Sequence, residues 1–311
     1  MEISPQKRNK LELNHTLNNG MIMPLIGLGT YKLEDITNSI KSAVNCGYRL
    51  FDTAALYENE EEVGKALNEC IDEGLVKREE LFVQTKLWND DHEDPQSALK
   101  ASLKRLNLSY VDSYLIHWPI GKVQQGKLVK QIPLYKTWGR LEECVRLGLT
   151  KSIAVSNFCN ALLLDLCSYA EILPVTNQVE MHPYLIQQDL VNFCKRYNIV
   201  VAAYNPILRG VYVQRKTDLF NEFDLFKNEL ILSLSKKYNK EPAHIILNWH
   251  VQRGVCAIPK SSNPKRQIEN LQSLDFVMEE SDYKIVSSLD LNMRFNIPQE
   301  KPFSAGINIY A

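Results

Sequence analysis

The sequence has no long apolar run and no excess of charge of either sign. No stretch approaches the ~18 consecutive apolar residues of a membrane-spanning helix, and the opening residues, MEISPQKRNK, lack the apolar core of a signal peptide. Lys and Arg number 36 against 37 Asp and Glu, so no net field favours nucleic acid or an anionic membrane. We therefore expect a cytoplasmic protein that binds a small molecule.

Cysteine, glycine and proline are also sparse. The seven cysteines are scattered and form no Cys-x-x-Cys pair, which predicts free thiols in a reducing compartment. Gly and Pro number 13 each, and 45% of the 311 residues are hydrophobic, as in a folded chain with a large core. The length allows one α/β barrel or two smaller domains. Because no Pro/Gly/Ser linker divides the chain, we predict a single domain over residues 1–311.

Eight short apolar runs alternate with segments of helical period, which is the pattern of successive βα units. The runs lie at residues 24–30, 48–52, 81–86, 111–117, 151–157, 175–180, 199–204 and 255–260. They predict an α/β fold, a closed (β/α)8 TIM barrel with its active site at the C-terminal ends of the strands. An Asn-Gly turn between two apolar stretches near the start predicts an N-terminal β-hairpin that caps one mouth.

Most of these runs end in polar or ionisable residues, and a barrel would bring several of them to one rim. Asp52, Lys86 and His117 would meet there, with Tyr57 reaching over from the loop after the second strand. A free tyrosine has a pKa of about 10, so it is a poor proton donor at neutral pH unless a cation stabilises its phenolate. Lys86 is the candidate cation, with Asp52 as its counter-ion. The set suits general acid catalysis on an oxygen that becomes an alkoxide.

Plainer interpretations compete with this one. Asp52 and Lys86 could form a structural ion pair, and His117 could be a packing residue. A metal site at Glu180 and His182 is a further alternative, although no His-x-x-x-His or Glu-x-x-His spacing supports it. The combination of four such groups at one rim favours catalysis without a metal.

The best candidate for phosphate binding is the segment IPKSSNPKRQIEN at residues 258–270. The earlier GLGTY begins like a dinucleotide fingerprint, but Lys32 occupies its third glycine position. Barrels frequently bind phosphate after strands seven and eight, near a helix N-terminus. Two cations there favour an additional 2'-phosphate. The candidate groups are Lys260, Ser261, Asn263 and Arg266.

These features resemble the aldo-keto reductases over nearly the whole chain, from about Leu11 to Pro298. Six motifs carry the resemblance: GYRLFDTAALYENEEEVG (47–64), VQTKLW (83–88), LIHWP (115–119), AVSNF (154–158), NQVEMHP (177–183) and IPKSSNPKRQIEN (258–270). The resemblance implies a (β/α)8 barrel that binds NADPH without a Rossmann domain and reduces aldehydes or ketones. It also implies a small carbonyl substrate and a monomer, with a homodimer as the alternative.

The resemblance assigns a role to each matched residue. Tyr57 would donate the proton, Lys86 and Asp52 would lower its pKa, and His117 would orient the substrate carbonyl. Two further sets are implied. Residues expected to bind NADPH are Ser156, Asn157 and Gln178 at the carboxamide, Tyr204 on the nicotinamide ring, Lys260, Ser261 and Arg266 at the 2'-phosphate, Glu269 and Asn270 at the adenine, and Thr30, Asn205 and Asn263. Residues expected to form an aromatic substrate pocket with His117 are Tyr31, Trp88, Trp118 and Phe158.

Two segments are less regular. After the seventh strand the family usually reads Ser-Pro-Leu-Gly, whereas this chain has YNPILRG, so Asn205 replaces the serine and Arg209 adds a charge. Residues 211–229 are expected to cover the cofactor, and the C-terminal residues 292–311 are expected to form a loop over the active-site mouth. A cofactor-binding barrel with a structural or sensor role is the second functional hypothesis, and the complete catalytic set favours the enzyme.

Overall fold

The computed structural model describes residues 11–209 and 223–310, and an eight-stranded parallel sheet forms its centre. The amide of Ala257 donates to the carbonyl of Leu25 at 2.8 Å, which joins the last strand to the first and closes the sheet into the predicted barrel. Its strands are β3 (Gly27–Gly29), β4 (Leu50–Asp52), β5 (Phe82–Leu87), β6 (Ser113–Ile116), β9 (Ile153–Ser156), β10 (Thr176–Glu180), β11 (Val200–Tyr204) and β12 (Cys256–Ile258).

Helices lie between the strands and cover the outside of the barrel. In the described part of the chain they are α1 (Ile36–Cys46), α2 (Glu60–Asp72), α3 (Pro95–Leu106), α4 (Leu134–Arg146), α5 (Asn160–Tyr169), α6 (Gln188–Arg196), α7 (Glu229–Tyr238), α8 (Pro242–Gln252), α9 (Pro264–Gln272) and α10 (Glu280–Ser287). None of them combines the length and apolar character needed to span a bilayer.

Local chemistry sets the ends of these helices. The Asp35 side chain accepts a hydrogen bond from the amide of Asn38 at the start of α1, and Gly47 ends that helix with a φ of 107°. A positive φ favours glycine because it has no Cβ to clash. Between these ends Ile40 and Val44 are buried on the face toward the barrel.

The contact between α2 and α3 depends on one glycine. A Cβ atom on Gly64 would lie 2.2 Å from the carbonyl oxygen of Leu106, so only a hydrogen allows this approach. The Asn68 side chain reinforces the contact, because its Nδ2 donates to Gly64 at 2.7 Å and to Leu106 at 3.2 Å. Close packing of these two helices holds the outer layer next to β5.

The two mouths of the barrel are covered differently. The predicted hairpin forms from β1 (Asn14–Thr16) and β2 (Ile22–Pro24), and Asn18 Nδ2 donates to the Pro174 carbonyl at 2.9 Å, just before β10 begins. The hairpin therefore closes the mouth at the N-terminal ends of the strands. The C-terminal residues cross the opposite mouth, as predicted, with short 3-10 turns at Pro298–Glu300 and Pro302–Ser304.

One element was not predicted. A second hairpin, β7 (Lys122–Gln124) and β8 (Lys127–Lys130), follows β6. None of its residues is buried. Its strands of three and four residues are also too short to show the extended apolar alternation that identifies a half-buried strand.

Candidate active site

A buried ion pair lies at the C-terminal ends of β4 and β5. Lys86 Nζ is 2.6 Å from Asp52 Oδ1 and donates to the Thr53 carbonyl at 2.8 Å. The Lys86 side chain has no exposed surface. A buried ammonium is costly unless it is paired and hydrogen-bonded, and these acceptors satisfy that requirement.

Two amides share the Asp52 carboxylate with Lys86. Gln84 Nε2 donates to Asp52 Oδ1 at 2.6 Å, and Gln178 Nε2 donates to the same atom at 2.9 Å. The role of Gln84 was not predicted. It stands two residues before Lys86 on β5, so the two side chains project to the same face of the strand, and this spacing was the available clue.

Tyr57 lies beside the ion pair, at the end of the 3-10 turn Ala55–Tyr57. Lys86 Nζ donates to its hydroxyl oxygen at 3.3 Å. The phenol proton can therefore point elsewhere, toward the open space of the cavity. The rings of Tyr31 and His117 lie 4.9 Å and 5.8 Å from the Tyr57 ring, measured between centroids.

The protonation state of Tyr57 differs from the expectation. Burial raises the pKa of its phenol well above 10, and the charge of Asp52 adds to this rise. Burial also lowers the pKa of Lys86, although Asp52 opposes that effect. The expected lowering of the Tyr57 pKa is therefore corrected: burial and the charge of Asp52 both raise it. The phenol stays protonated through the neutral range, which keeps it available as a donor.

His117 is held as a neutral imidazole. Burial lowers its pKa well below 6.5, and the charge of Lys86 adds to this shift. The ring meets Trp88 edge-on with centroids 5.4 Å apart. A neutral ring has one N–H donor, so His117 can offer a hydrogen bond to an oxygen without carrying a charge.

These groups open into a cavity of about 530 Å³ at the C-terminal mouth of the barrel. It unites most of the predicted site residues and adds several from the tail and loops. Lining residues that were predicted are Tyr31, Asp52, Tyr57, His117, Trp118, Ser156, Asn157, Gln178, Tyr204, Asn205 and Lys260. Arg209, whose charge was expected in this region, also lines the cavity. Lining residues that were not assigned a role are Gly29, Lys32, Leu56, Pro206, Ile207, Leu208, Ile258, Pro259, Asn296, Lys301 and Phe303.

One wall of the cavity is rich in hydroxyl and amide groups. The Ser156 hydroxyl donates to the Gln178 carbonyl at 2.7 Å. Asn157 Nδ2 donates to the His117 carbonyl at 2.9 Å and to Ser156 Oγ at 3.0 Å. Tyr204 donates its hydroxyl proton to Asn157 Oδ1 at 2.8 Å. The ends of β9, β10 and β11 therefore form one connected polar surface.

Cations lie at the other side of the cavity and on the segment after β12. Lys260 Nζ donates to the Lys32 carbonyl at 3.0 Å, and Arg209 pairs with Asp224 at 3.5 Å. Arg266 is exposed on the first turn of α9. Positive side chains around a helix N-terminus fit the phosphate groups of a dinucleotide.

Other residues of the predicted phosphate segment support the helix itself. Asn263 Oδ1 accepts from the Arg266 amide at 3.1 Å and so caps α9. Ser261 Oγ accepts from the Asn263 amide at 3.2 Å. Asn270 is buried, whereas Glu269 lies on the helix surface, 3.8 Å from Lys265.

Three further residues that were predicted to contact the substrate or the cofactor also lie outside the cavity lining. Phe158 is 0% exposed and packs in the main core, so its contact with substrate stays a prediction. Thr30 is also fully buried, and its hydroxyl donates to the Asp52 carbonyl at 3.0 Å, which supports the strand. Its cofactor contact stays a prediction. Trp88 does not line the cavity. Its ring packs against the rings of His117 and Phe303, which do. The cofactor-covering loop expected at residues 211–229 lies largely outside the described residues.

Glu180, a candidate metal ligand in the sequence, instead binds the backbone of the C-terminal residues. Its carboxylate accepts hydrogen bonds from the amides of Phe295 at 3.1 Å and Asn296 at 2.9 Å. His182 Nε2 is 3.5 Å away. Across residues 11–209 and 223–310, no group of three or more His, Cys, Asp or Glu side chains is arranged to hold a metal ion.

A barrel with a Tyr, Lys, Asp and His at its C-terminal mouth, and with cations for a dinucleotide, is the arrangement of an enzyme that reduces carbonyl groups. Comparison with known proteins agrees. Residues 18–291 match the aldo/keto reductase family, and this chain belongs to that family.

Several relatives align over nearly their full length. Aldose reductase B of Dictyostelium discoideum is 40% identical, with 94% of this chain and 96% of that protein covered. The NAD(P)H-dependent D-xylose reductase I,II of Candida tropicalis is 40% identical over 91% and 94%. The NADP-dependent D-sorbitol-6-phosphate dehydrogenase of Malus domestica is 38% identical over 95% and 99%. The chain is accordingly an NADPH-dependent oxidoreductase.

Proposed function

We propose that this chain reduces aldehydes or ketones to alcohols with Tyr57 as the proton donor. The observation that carries the proposal is that Tyr57, Asp52 and His117 line one cavity, with the buried Lys86 directly behind them and in contact with Tyr57 and Asp52. NADPH would supply the hydride. The four side chains would manage the charge and the proton on the substrate oxygen.

Charge stabilisation is the main task of this set. When the substrate oxygen takes the Tyr57 proton, a phenolate forms 3.3 Å from the Lys86 ammonium. The acceptor of the Lys86 hydrogen bond then carries a full negative charge, so the contact between ammonium and phenolate strengthens. Asp52 keeps Lys86 in place before and after the transfer. The neutral His117 ring would donate an N–H to the carbonyl oxygen and stabilise its developing negative charge.

The polar and charged groups of the cavity support one orientation of NADPH, with the nicotinamide at the catalytic set and the adenosine end at α9. The wall formed by Ser156, Asn157, Gln178 and Tyr204 would receive the nicotinamide, next to the catalytic set. Lys260, Ser261 and Arg266 would receive the 2'-phosphate at the start of α9, with Asn205 and Asn263 near the phosphates and Glu269 and Asn270 near the adenine. Thr30, beside the ion pair, would contact the cofactor, and Phe158 would contact the substrate, if the buried rim around them rearranges on binding.

The substrate pocket is aromatic at its walls and carries one cation from the tail. Tyr31, Trp118 and Phe303 line the cavity together with Lys301. Trp118 and Phe303 are in contact, with centroids 5.1 Å apart. The names of the relatives include aldose, xylose and sorbitol 6-phosphate among their substrates. We propose an aldehyde substrate, either aromatic or an aldose, as the natural class.

The test is NADPH oxidation by the purified protein with a small panel of carbonyl compounds. The panel holds a nitrobenzaldehyde, glyceraldehyde, xylose, methylglyoxal and an aldose 6-phosphate, each repeated with NADH. Turnover of aldehydes with NADPH preferred is the expected result. Tight NADPH binding without turnover on any compound would contradict the proposal and favour a structural or sensor barrel.

We also propose a single cytoplasmic domain over residues 1–311 that works as a monomer. One barrel accounts for the described residues, and the whole catalytic set comes from one chain. Size-exclusion chromatography with light scattering would give the mass of a monomer, and the mass of a dimer would contradict this part.

A further inference from the structure

The C-terminal tail makes contacts that proton transfer to a carbonyl does not explain. The tail is defined here as residues 292–310, and it begins after the family match, which ends at residue 291. Its first part is fixed by the buried Glu180 carboxylate, which accepts from the backbone amides of Phe295 and Asn296. The tail is therefore anchored at the end of β10, directly beside the polar wall of the cavity.

From this anchor the tail reaches Tyr204. Asn296 Nδ2 donates to the Tyr204 hydroxyl oxygen at 3.1 Å, and Tyr204 donates its proton to Asn157 Oδ1 at 2.8 Å. The Tyr204 ring lines the cavity. Its hydroxyl is held between a tail residue and Asn157, so the position of the ring depends on both.

The end of the tail reaches the same acceptor. The Tyr310 hydroxyl donates to Asn157 Oδ1 at 3.0 Å. The Arg294 guanidinium lies over the Tyr310 ring, 3.5 Å from its centroid, and a cation–π contact of this kind fixes the ring plane. The Arg294 guanidinium, which belongs to the tail, therefore holds the Tyr310 ring in the orientation in which its hydroxyl bonds to Asn157.

These contacts saturate the Asn157 amide. An asparagine side chain has two N–H donors and one oxygen with two lone pairs. The donors go to the His117 carbonyl and Ser156 Oγ, and the lone pairs go to the two phenols. Asn157 therefore connects the backbone of His117, the Ser156 hydroxyl and the Tyr204 ring, and Tyr310 supplies the fourth bond. With every position of its amide in use, Asn157 would act on the nicotinamide by holding Ser156 and Tyr204 and not by bonding to the carboxamide itself.

We propose that Tyr310 is a positioning residue for the nicotinamide end of the cofactor site, acting through Asn157 and Tyr204. This inference rests on the proposed function, because it takes the polar wall as the place where the nicotinamide binds. It assigns the tail a part in cofactor binding in addition to covering the substrate. The adenosine end, on α9, should be independent of it.

The test compares two ligands in the full-length Tyr310→Phe variant, which keeps the ring and loses only the hydroxyl. Dissociation constants for NADPH and for adenosine 2',5'-bisphosphate, which lacks the nicotinamide, are measured by quenching of tryptophan fluorescence; Trp118 lines the cavity. Loss of one neutral hydrogen bond should raise the Kd for NADPH about 3- to 10-fold. The Kd for the bisphosphate should stay within about twofold of the wild-type value, and the KM for NADPH should rise in parallel with its Kd.

Two further variants separate positioning from a general effect on the tail. Ile307→Ala alters an exposed tail residue and should leave both constants unchanged. Tyr310→Ala, which also removes the ring over Arg294, should raise the Kd for NADPH further than Tyr310→Phe. An unchanged or tighter NADPH constant in Tyr310→Phe would overturn the inference, as would an equal loss for both ligands.

The wild-type protein is measured first, and its behaviour distinguishes the two proposals. If it binds NADPH but turns over no carbonyl compound, the proton-donor proposal fails, while the ligand comparison still decides the role of Tyr310. If it binds the bisphosphate but not NADPH, the nicotinamide site is wrong and both proposals fall.

Discussion

Replacement of Tyr57 by phenylalanine should separate catalysis from stability. The change removes one oxygen, and Lys86 loses its longest contact, at 3.3 Å. The contacts of Lys86 with Asp52 at 2.6 Å and the Thr53 carbonyl at 2.8 Å remain. Lys86 therefore stays paired, and the free energy of unfolding should change by no more than about 1 kcal/mol.

The rate should respond far more strongly. A positioned general acid contributes about 10²- to 10⁴-fold to the rate, so kcat for aldehyde reduction should fall by that factor in Tyr57→Phe. NADPH affinity should stay within about twofold, because the ring remains. Steady-state NADPH oxidation gives kcat, fluorescence quenching gives the cofactor Kd, and urea unfolding gives stability.

Tyr31→Phe provides a matched control at the same mouth. The Tyr31 ring lies 4.9 Å from the Tyr57 ring and is 49% exposed, so the control removes a phenol oxygen from the same neighbourhood but not from the catalytic set. It should keep most of the activity. A Tyr57→Phe protein that retains more than about a tenth of wild-type kcat would refute the proton-donor role, since the expected loss is at least tenfold greater.

Three further predictions concern the ion pair, the cofactor and the helix packing. The Asp52 charge raises the pKa of both Lys86 and Tyr57, so Asp52→Asn should lower both values and move the alkaline fall of kcat/KM to lower pH. A pH–rate profile checks this, and an unmoved alkaline limb would show that neither group governs the rate. Arg266→Ala should raise the KM for NADPH about 10-fold or more, the cost of a charged hydrogen bond, and leave the KM for NADH nearly unchanged; similar increases for both cofactors would remove the 2'-phosphate contact. Gly64→Ala should destabilise the fold by about 1 to 3 kcal/mol through overpacking against Leu106. Its control is Gly139→Ala in α4, where a Cβ meets nothing within 4 Å, and urea unfolding that ranks the two variants equally would contradict the packing argument.

Much of the architecture could be predicted from local sequence. Alternating apolar runs and helical periods identified eight βα units, because side-chain periodicity follows directly from strand and helix geometry. Residues such as Asp35 and Gly47 set helix ends through only a few neighbouring atoms, so capping is a local property of the sequence. The catalytic candidates followed from one topological rule, that the C-terminal ends of barrel strands meet at one mouth.

Contacts between distant parts of the chain were decided only by the tertiary structure. The Tyr57 pKa moved in the opposite direction to the expectation, because desolvation depends on everything packed around the phenol. Phe158 and Thr30 stand beside site motifs yet turn into the core. The bond from Tyr310 to Asn157 joins residues 153 positions apart, and no periodicity or spacing within the sequence encodes such a pairing. Sequence determined which groups are available near each strand end, and packing decided which of them face the cavity and in what electrostatic environment.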